Sequence, residues 1–190
     1  MNNYEYIIAS LPVPDPASGS AEVSSLLDFI RSQCSDSDTV LLDLLQDGFD
    51  PDKLDAGFYT KALHSHNAFL RAFLGFDLNL RNTKTEYLNR VLARPEGTDV
   101  ISLTEEEAEF DEKPAVTSVL EQDDILARER GLDRLLWDKA EELVRMHLFD
   151  MDVILSVVAR LPITDRWNRL DPETGRELFR SLVQEIRNTR

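Results

Sequence analysis

Three histidines, one cysteine and a surplus of carboxylates are the side chains with reactive chemistry to offer. His64-Ser65-His66 resembles a ligand pair in spacing, yet on a helix residues two apart point ~200° away from one another, so the pair does not converge on a metal ion. His147 has Val144 and Asp150 three residues to either side, which leaves out the Glu-x-x-His pattern of di-iron bundles. Cys34 has Arg31 nearby to favour a thiolate and Asp36 and Asp38 to oppose one, so a quiet structural thiol is expected. The glycines at 19, 48, 57, 75, 97, 131 and 175 are too scattered to build a dinucleotide fingerprint or a phosphate loop. Carboxylates abound, but none stands out as an acid/base pair. No catalytic, cofactor-binding or metal-binding residue is assigned, and no cofactor or small-molecule substrate is expected.

The bulk properties narrow the function classes further. With 190 residues, 42% hydrophobic and 30% charged, the chain is long enough for one domain or two small ones. A formal charge of −15 opposes binding to DNA, RNA or anionic lipid, whose affinity comes mostly from cationic side chains. Uncharged stretches reach nine residues, Tyr6 to Pro14 and Ala62 to Leu70, whereas a membrane helix needs ~20 predominantly apolar positions. Direct membrane insertion is not expected. Glu5, and no Lys or Arg before Arg31, leave out the basic start of a signal peptide. A single cysteine forms no internal disulfide, and a reducing cytoplasm is the simplest compartment.

The charge is uneven along the chain. Residues 96–124 hold 11 acidic side chains and one basic, including Glu105-Glu106-Glu107. Self-repulsion there predicts an acidic connector between an N-terminal helical half, 1–95, and a C-terminal helical half, 125–190, which could also fold as one domain. The connector reads as a solvated linker or as an acidic contact for a basic partner. Val100, Ile101 and Leu103 would suit a short edge strand at its start.

The elements that must position any site are helical. Ser20 is the expected N-cap of a helix burying Val23, Leu26, Leu27 and Ile30. Ser37 is the expected cap of the next, with Val40, Leu41, Leu44 and Leu45 on its stripe and a left-handed Gly48 ending it. Asp50-Pro51 restarts the chain for a short helix through Leu54, Phe58 and Ala62. A long helix is predicted from about Asn67 to Leu92, with Gly75 marking a kink or a close contact. Ile125 to Met146 predicts a helix reaching His147, and Asp150 caps one that Pro162 interrupts or bends. A last helix would begin at Asp171-Pro172 and bury Leu178, Phe179, Leu182 and Ile186. Tyr4 to Leu11 fits a strand or a short helix. The predicted fold class is mainly α, a multi-helix bundle of two packed halves with at most one or two very short strands.

Particular segments carry a family likeness. Tyr4-Glu5-Tyr6-Ile7-Ile8-Ala9-Ser10-Leu11-Pro12, Phe76-Asp77-Leu78-Asn79-Leu80-Arg81-Asn82, Phe149 to Leu155 and Ile163 to Asp171 together resemble an uncharacterised bacterial family encoded beside V-type ATP synthase subunits. Asp77-x-Asn79-Leu80-x-Asn82 and Arg128-Glu129-x-Gly131-Leu132-Asp133 are also similar to segments of the V-type ATPase central-stalk adaptor, a much longer chain that sits between the rotating shaft and the membrane rotor ring. The resemblance implies an all-helical, noncatalytic accessory or stalk component. Its implied partners are the ATPase shaft and rotor subunits, and its implied place is cytoplasmic, peripheral to the inner membrane. The alternative is a small cytoplasmic helical enzyme or regulator built on the carboxylates and His64/His66.

Four residues are candidates for an interface or a structural motif. Asn79 and Arg81 lie in an apolar helix, where buried polar groups need partners, internal or external. Arg166 and Trp167 stand before the Asp171-Pro172 restart, with Trp167 expected in a helix corner or at a contact hot spot. Trp137 is expected in the core.

Overall fold

The computed structural model describes residues 4–11, 23–103, 110–169 and 180. Eight α-helices occur among them: α1 Tyr4–Ser10, α2 Val23–Gln33, α3 Asp36–Asp47, α4 Ala56–Leu63, α5 Ala68–Val91, α6 Lys113–Leu120, α7 Ile125–Glu142 and α8 Met151–Arg169. A 3-10 turn, Pro51–Lys53, precedes α4. No strand is present among the described residues. The N-terminal stretch is helical because Tyr4, Ile7, Ile8 and Leu11 then all meet the core, a helical rather than an alternating spacing. The predicted edge strand does not form. Ile101 instead finds its backbone partners in one side chain: Asn82 Nδ2 donates to its carbonyl at 2.9 Å and Asn82 Oδ1 accepts from its N–H at 3.0 Å.

Local chemistry explains the helix ends. Ser35, not Ser37, caps α3, because Asp38 stands three residues on and completes a reciprocal capping box. Gly48 is right-handed, φ −65°, and not the expected left-handed stop. Its lack of a side chain serves close packing, since a Cβ there would stand 2.8 Å from Leu74 Cδ2. Asp50 caps the 3-10 turn, Asp55 caps α4, and Leu54 lies between them as irregular chain. Asn67 caps the 24-residue α5, and Gly75 lets α4 approach through Leu63. α7 stops at Glu142 rather than His147, and Ile125 and Met146, placed on its buried face by spacing, are exposed. Asp150 accepts from the Val153 N–H at the start of α8, as expected. Pro162 does not interrupt that helix, which continues through it to Arg169. The Ser20 cap and the helix expected from Asp171 lie outside the described residues.

One main core joins the two halves. Ile7, Ile30, Leu42, Leu45, Leu70 and Phe73 from the first pack with Ala140, Ile154, Leu155 and Val158 from the second. Within the stretch expected to be a linker, α6 buries Val116 and Leu120 against Phe76, Leu80 and Leu132 in a second cluster. Acidic composition did not prevent packing there because the apolar residues of 113–120 recur at helical spacing while the charges flank them. Lys113–Glu86 and Lys139–Glu112, each at 2.9 Å, tie this segment to α5 and α7. No described helix is long and apolar enough to cross a membrane.

Candidate functional site

The polar chemistry concentrates along α5, α7 and α8. α7 and α8 run antiparallel, with Ser156 Oγ donating to the Ala140 carbonyl at 2.7 Å near one end and Asp133 meeting Arg166 and Trp167 near the other. Asp133 is buried on the inner face of α7. It accepts a hydrogen bond from Trp167 Nε1 at 2.7 Å and pairs with the Arg166 guanidinium. Burial pushes its carboxyl above the usual range, and the Arg166 and Trp167 donors oppose that rise. Glu129, one helical turn away, lies 3.8 Å from Arg166 and accepts from Lys84 Nζ of α5 at 2.9 Å. Arg130 lies over the Trp167 ring, 5.0 Å from its centroid. Lys84, Glu129, Arg166 and Asp133 therefore link three helices through one chain of charges.

A second brace repeats the same chemistry two turns along. Arg160 is buried and donates to Glu141 Oε1 at 2.7 Å and to its own Ser156 carbonyl at 3.1 Å. Trp137 Nε1 donates to the same Glu141 oxygen at 3.0 Å, and Arg160 lies over the Trp137 ring. Burial lowers the Arg160 pKa, with Glu141 opposing. Trp137 is in the core, as expected.

On α5 the buried carboxylate of Asp77 accepts from Tyr59 Oη at 2.8 Å and Arg81 Nε at 2.7 Å. Burial and then the Asp77 charge push the Tyr59 phenol well above its ordinary range, so it stays a donor. Arg81 thus has an internal partner. Asn79 is half-buried, and its backbone carbonyl accepts from Thr83 Oγ1 at 2.7 Å. Asn89, near the end of α5, donates to the Thr98 carbonyl at 2.7 Å and leaves a buried Oδ1 without a partner.

Of the four candidates, Arg166 and Trp167 converge on one carboxylate, while Arg81 belongs to a separate cluster and Asn79 to neither. Spacing alone did not single out Asp133, Glu129, Tyr59 or Asp77 as partners. Asp133 and Glu129 stand one turn apart in an otherwise acidic sequence, and only the three-dimensional pairing separates them from solvated carboxylates. His64 and His66 are both exposed, and the His64 ring lies 2.7 Å from the Thr60 carbonyl of its own helix. Cys34 is half-buried, and burial, then Asp38, raise its pKa against the pull of Arg31. No group of three or more His, Cys, Asp or Glu suited to a metal ion occurs among the described residues. What the arrangement does chemically is hold helices in fixed register by charge-assisted hydrogen bonds.

Residues 49–189, well over half of the chain, match the family described as a protein of unknown function, DUF2764. No curated protein and no solved structure matches the chain.

Proposed function

The chain belongs to the DUF2764 family, and from that premise we propose that it is a noncatalytic accessory or central-stalk component of a V-type ion-translocating ATPase, acting by contacts with shaft and rotor subunits. The observation that carries this reading is where the resembling segments fall. Phe76 to Asn82 lies on α5, Arg128 to Asp133 on α7, and Met151 to Leu155 and the described part of Ile163 to Asp171 on α8, the helices that the charge network ties together, while Tyr4 to Ser10 forms α1. A component that passes force or fixes assembly needs such a stiff helical body, because a body that yields under load transmits none. The net charge of −15 suits attraction to basic faces of a partner, an attraction that salt weakens. On this reading the protein is peripheral to the inner membrane through the complex. The alternative enzyme reading rests on the carboxylates and on His64 and His66, both of which are exposed between α4 and α5.

Tagged protein recovered from gently solubilised membranes of its own host, at low and moderate salt, tests the reading. Retention of shaft or rotor subunits is the expected result. A chain that is recovered without them at both salts contradicts it.

A further inference from the structure

The end of α5 and the start of α7 leave Leu88, Val91, Leu92, Ile125 and Leu126 outside the core, with Val91 61%, Leu92 62% and Ile125 73% exposed. Charge pairs put these helix ends side by side. Lys84 of α5 meets Glu129 of α7 at 2.9 Å, and Arg166 of α8 pairs with Asp133 and lies 3.8 Å from Glu129. Leu88 is one turn beyond Lys84 and Ile125 one turn before Glu129, so both stand at the same end of the antiparallel pair. α8 stops at Arg169, within one turn of Arg166, at that end as well. Residues 170–190 continue the chain from there.

In that stretch Leu178, Phe179, Leu182, Val183 and Ile186 recur at the spacing of one helix face. On a helix Arg180 points ~200° away from both Leu178 and Leu182, and Arg180 is helical and exposed. A helix of this length draws most of its stability from packing its apolar face, so a helical Arg180 calls for a surface under the stripe. The stretch 171–190 holds four acidic and four arginine side chains, and so adds no net charge of the sign that dominates the rest of the molecule. The α5–α7 end is the surface within reach. The other exposed apolar residues, Met146, Leu148 and Phe149, stand at the far end of α8, about 27 Å along its axis. Tethering sets an effective concentration of about millimolar, which favours the chain's own segment over a free partner of equal affinity. We propose that residues 171–190 fold back as a cover over the apolar end of α5 and α7, with the stripe of Leu178, Leu182 and Ile186 against it. The contact needs no partner subunit, so it stands or falls apart from the ATPase reading.

The full chain carrying a photo-crosslinking residue in place of Val91 tests the contact, with the same residue in place of Met146 as the control. The expected result is a crosslink from position 91 to residues 171–190 in a product of monomer mass, and none to that stretch from position 146. Leu182→Ser/Ile186→Ser removes two apolar anchors and should cut the position-91 crosslink at least about tenfold. Absence of a crosslink from position 91 to 171–190, or an undiminished one in the Ser variant, overturns the contact. Capture of the stretch from position 146 at equal yield overturns it too. A dimer-sized product from position 91 assigns the apolar end to a second copy and overturns the cover. Should the Ser variant lose its thermal transition, the two crosslinking positions decide on the otherwise wild-type chain.

Discussion

Asp133 ties α7 to α8 because one carboxylate satisfies both the Trp167 N–H and the Arg166 guanidinium. Asp133→Ala leaves the indole N–H unpaired in a half-buried site, while the exposed Arg166 regains water. The loss should be about 2 kcal/mol, within the range for hydrogen bonds to charged groups and below that for breaking a fully buried pair. Denaturant unfolding measures it; a change near zero would mean that the brace contributes nothing. His147 gives a pH signature. Its hydrogen bond to Asp150, with the charges of Asp150 and Asp152, raises its pKa above the ordinary 6.5. The pair therefore contributes stability fully present below the unfolded value and lost as pH rises through the raised folded value. Relative to His147→Gln, the wild type should gain thermal stability at about pH 5.5 and lose that advantage by about pH 8.5. A difference that does not vary with pH would contradict the pairing.

Among the elements, α6 and α7 meet at Gly131, where a Cβ would lie 2.5 Å from Val119 Cγ1. Gly131→Ala gains about 1 kcal/mol of helix propensity, but the stiff, branched Val119 must move, and overpacking costs about 1–3 kcal/mol. The substitution should be neutral to destabilising in the wild type and stabilising in a Val119→Ala background. A double-mutant cycle by denaturant unfolding reads that change of sign, and additive effects would refute the contact. Most helices were legible because their apolar residues recur at helical spacing, as along α5 from Phe69 to Leu80. Their ends were less so. Ser35 and Ser37 offer the same hydroxyl, and only Asp38 three residues after Ser35 decides between them. Pro162 was expected to interrupt or bend the helix because its missing N–H weakens it, yet α8 is buried from Ile154 to Leu161 and again at Ile163 and Thr164, and packing outweighs the lost bond.

At the scale of the molecule, charge count says little about packing. The acidic stretch was expected to connect two halves that could also fold as one domain, and Val116 and Leu120 bury within it while Ile30 and Ile154 share one core across it. Net charge reports solvation averaged over a window, whereas packing depends on where the few apolar residues stand. At the site, Asn79 and Arg81 drew notice as polar residues within an apolar helix, and Arg166 and Trp167 as a pair before the Asp171-Pro172 restart; Arg81, Arg166 and Trp167 each have a carboxylate partner. Their partners did not, because Asp77 and Asp133 are two carboxylates among 36 acidic residues, and what distinguishes them is burial joined to their pairing with Arg81 and Tyr59 or Arg166 and Trp167. The most direct test of the proposed ATPase role is native mass spectrometry of the intact complex isolated from the host. Membership in the complex predicts a component whose fragments carry this sequence, present in whole-number copies beside the shaft or rotor subunits. An intact ATPase without that component, with the chain recovered separately from the same cells, would contradict it.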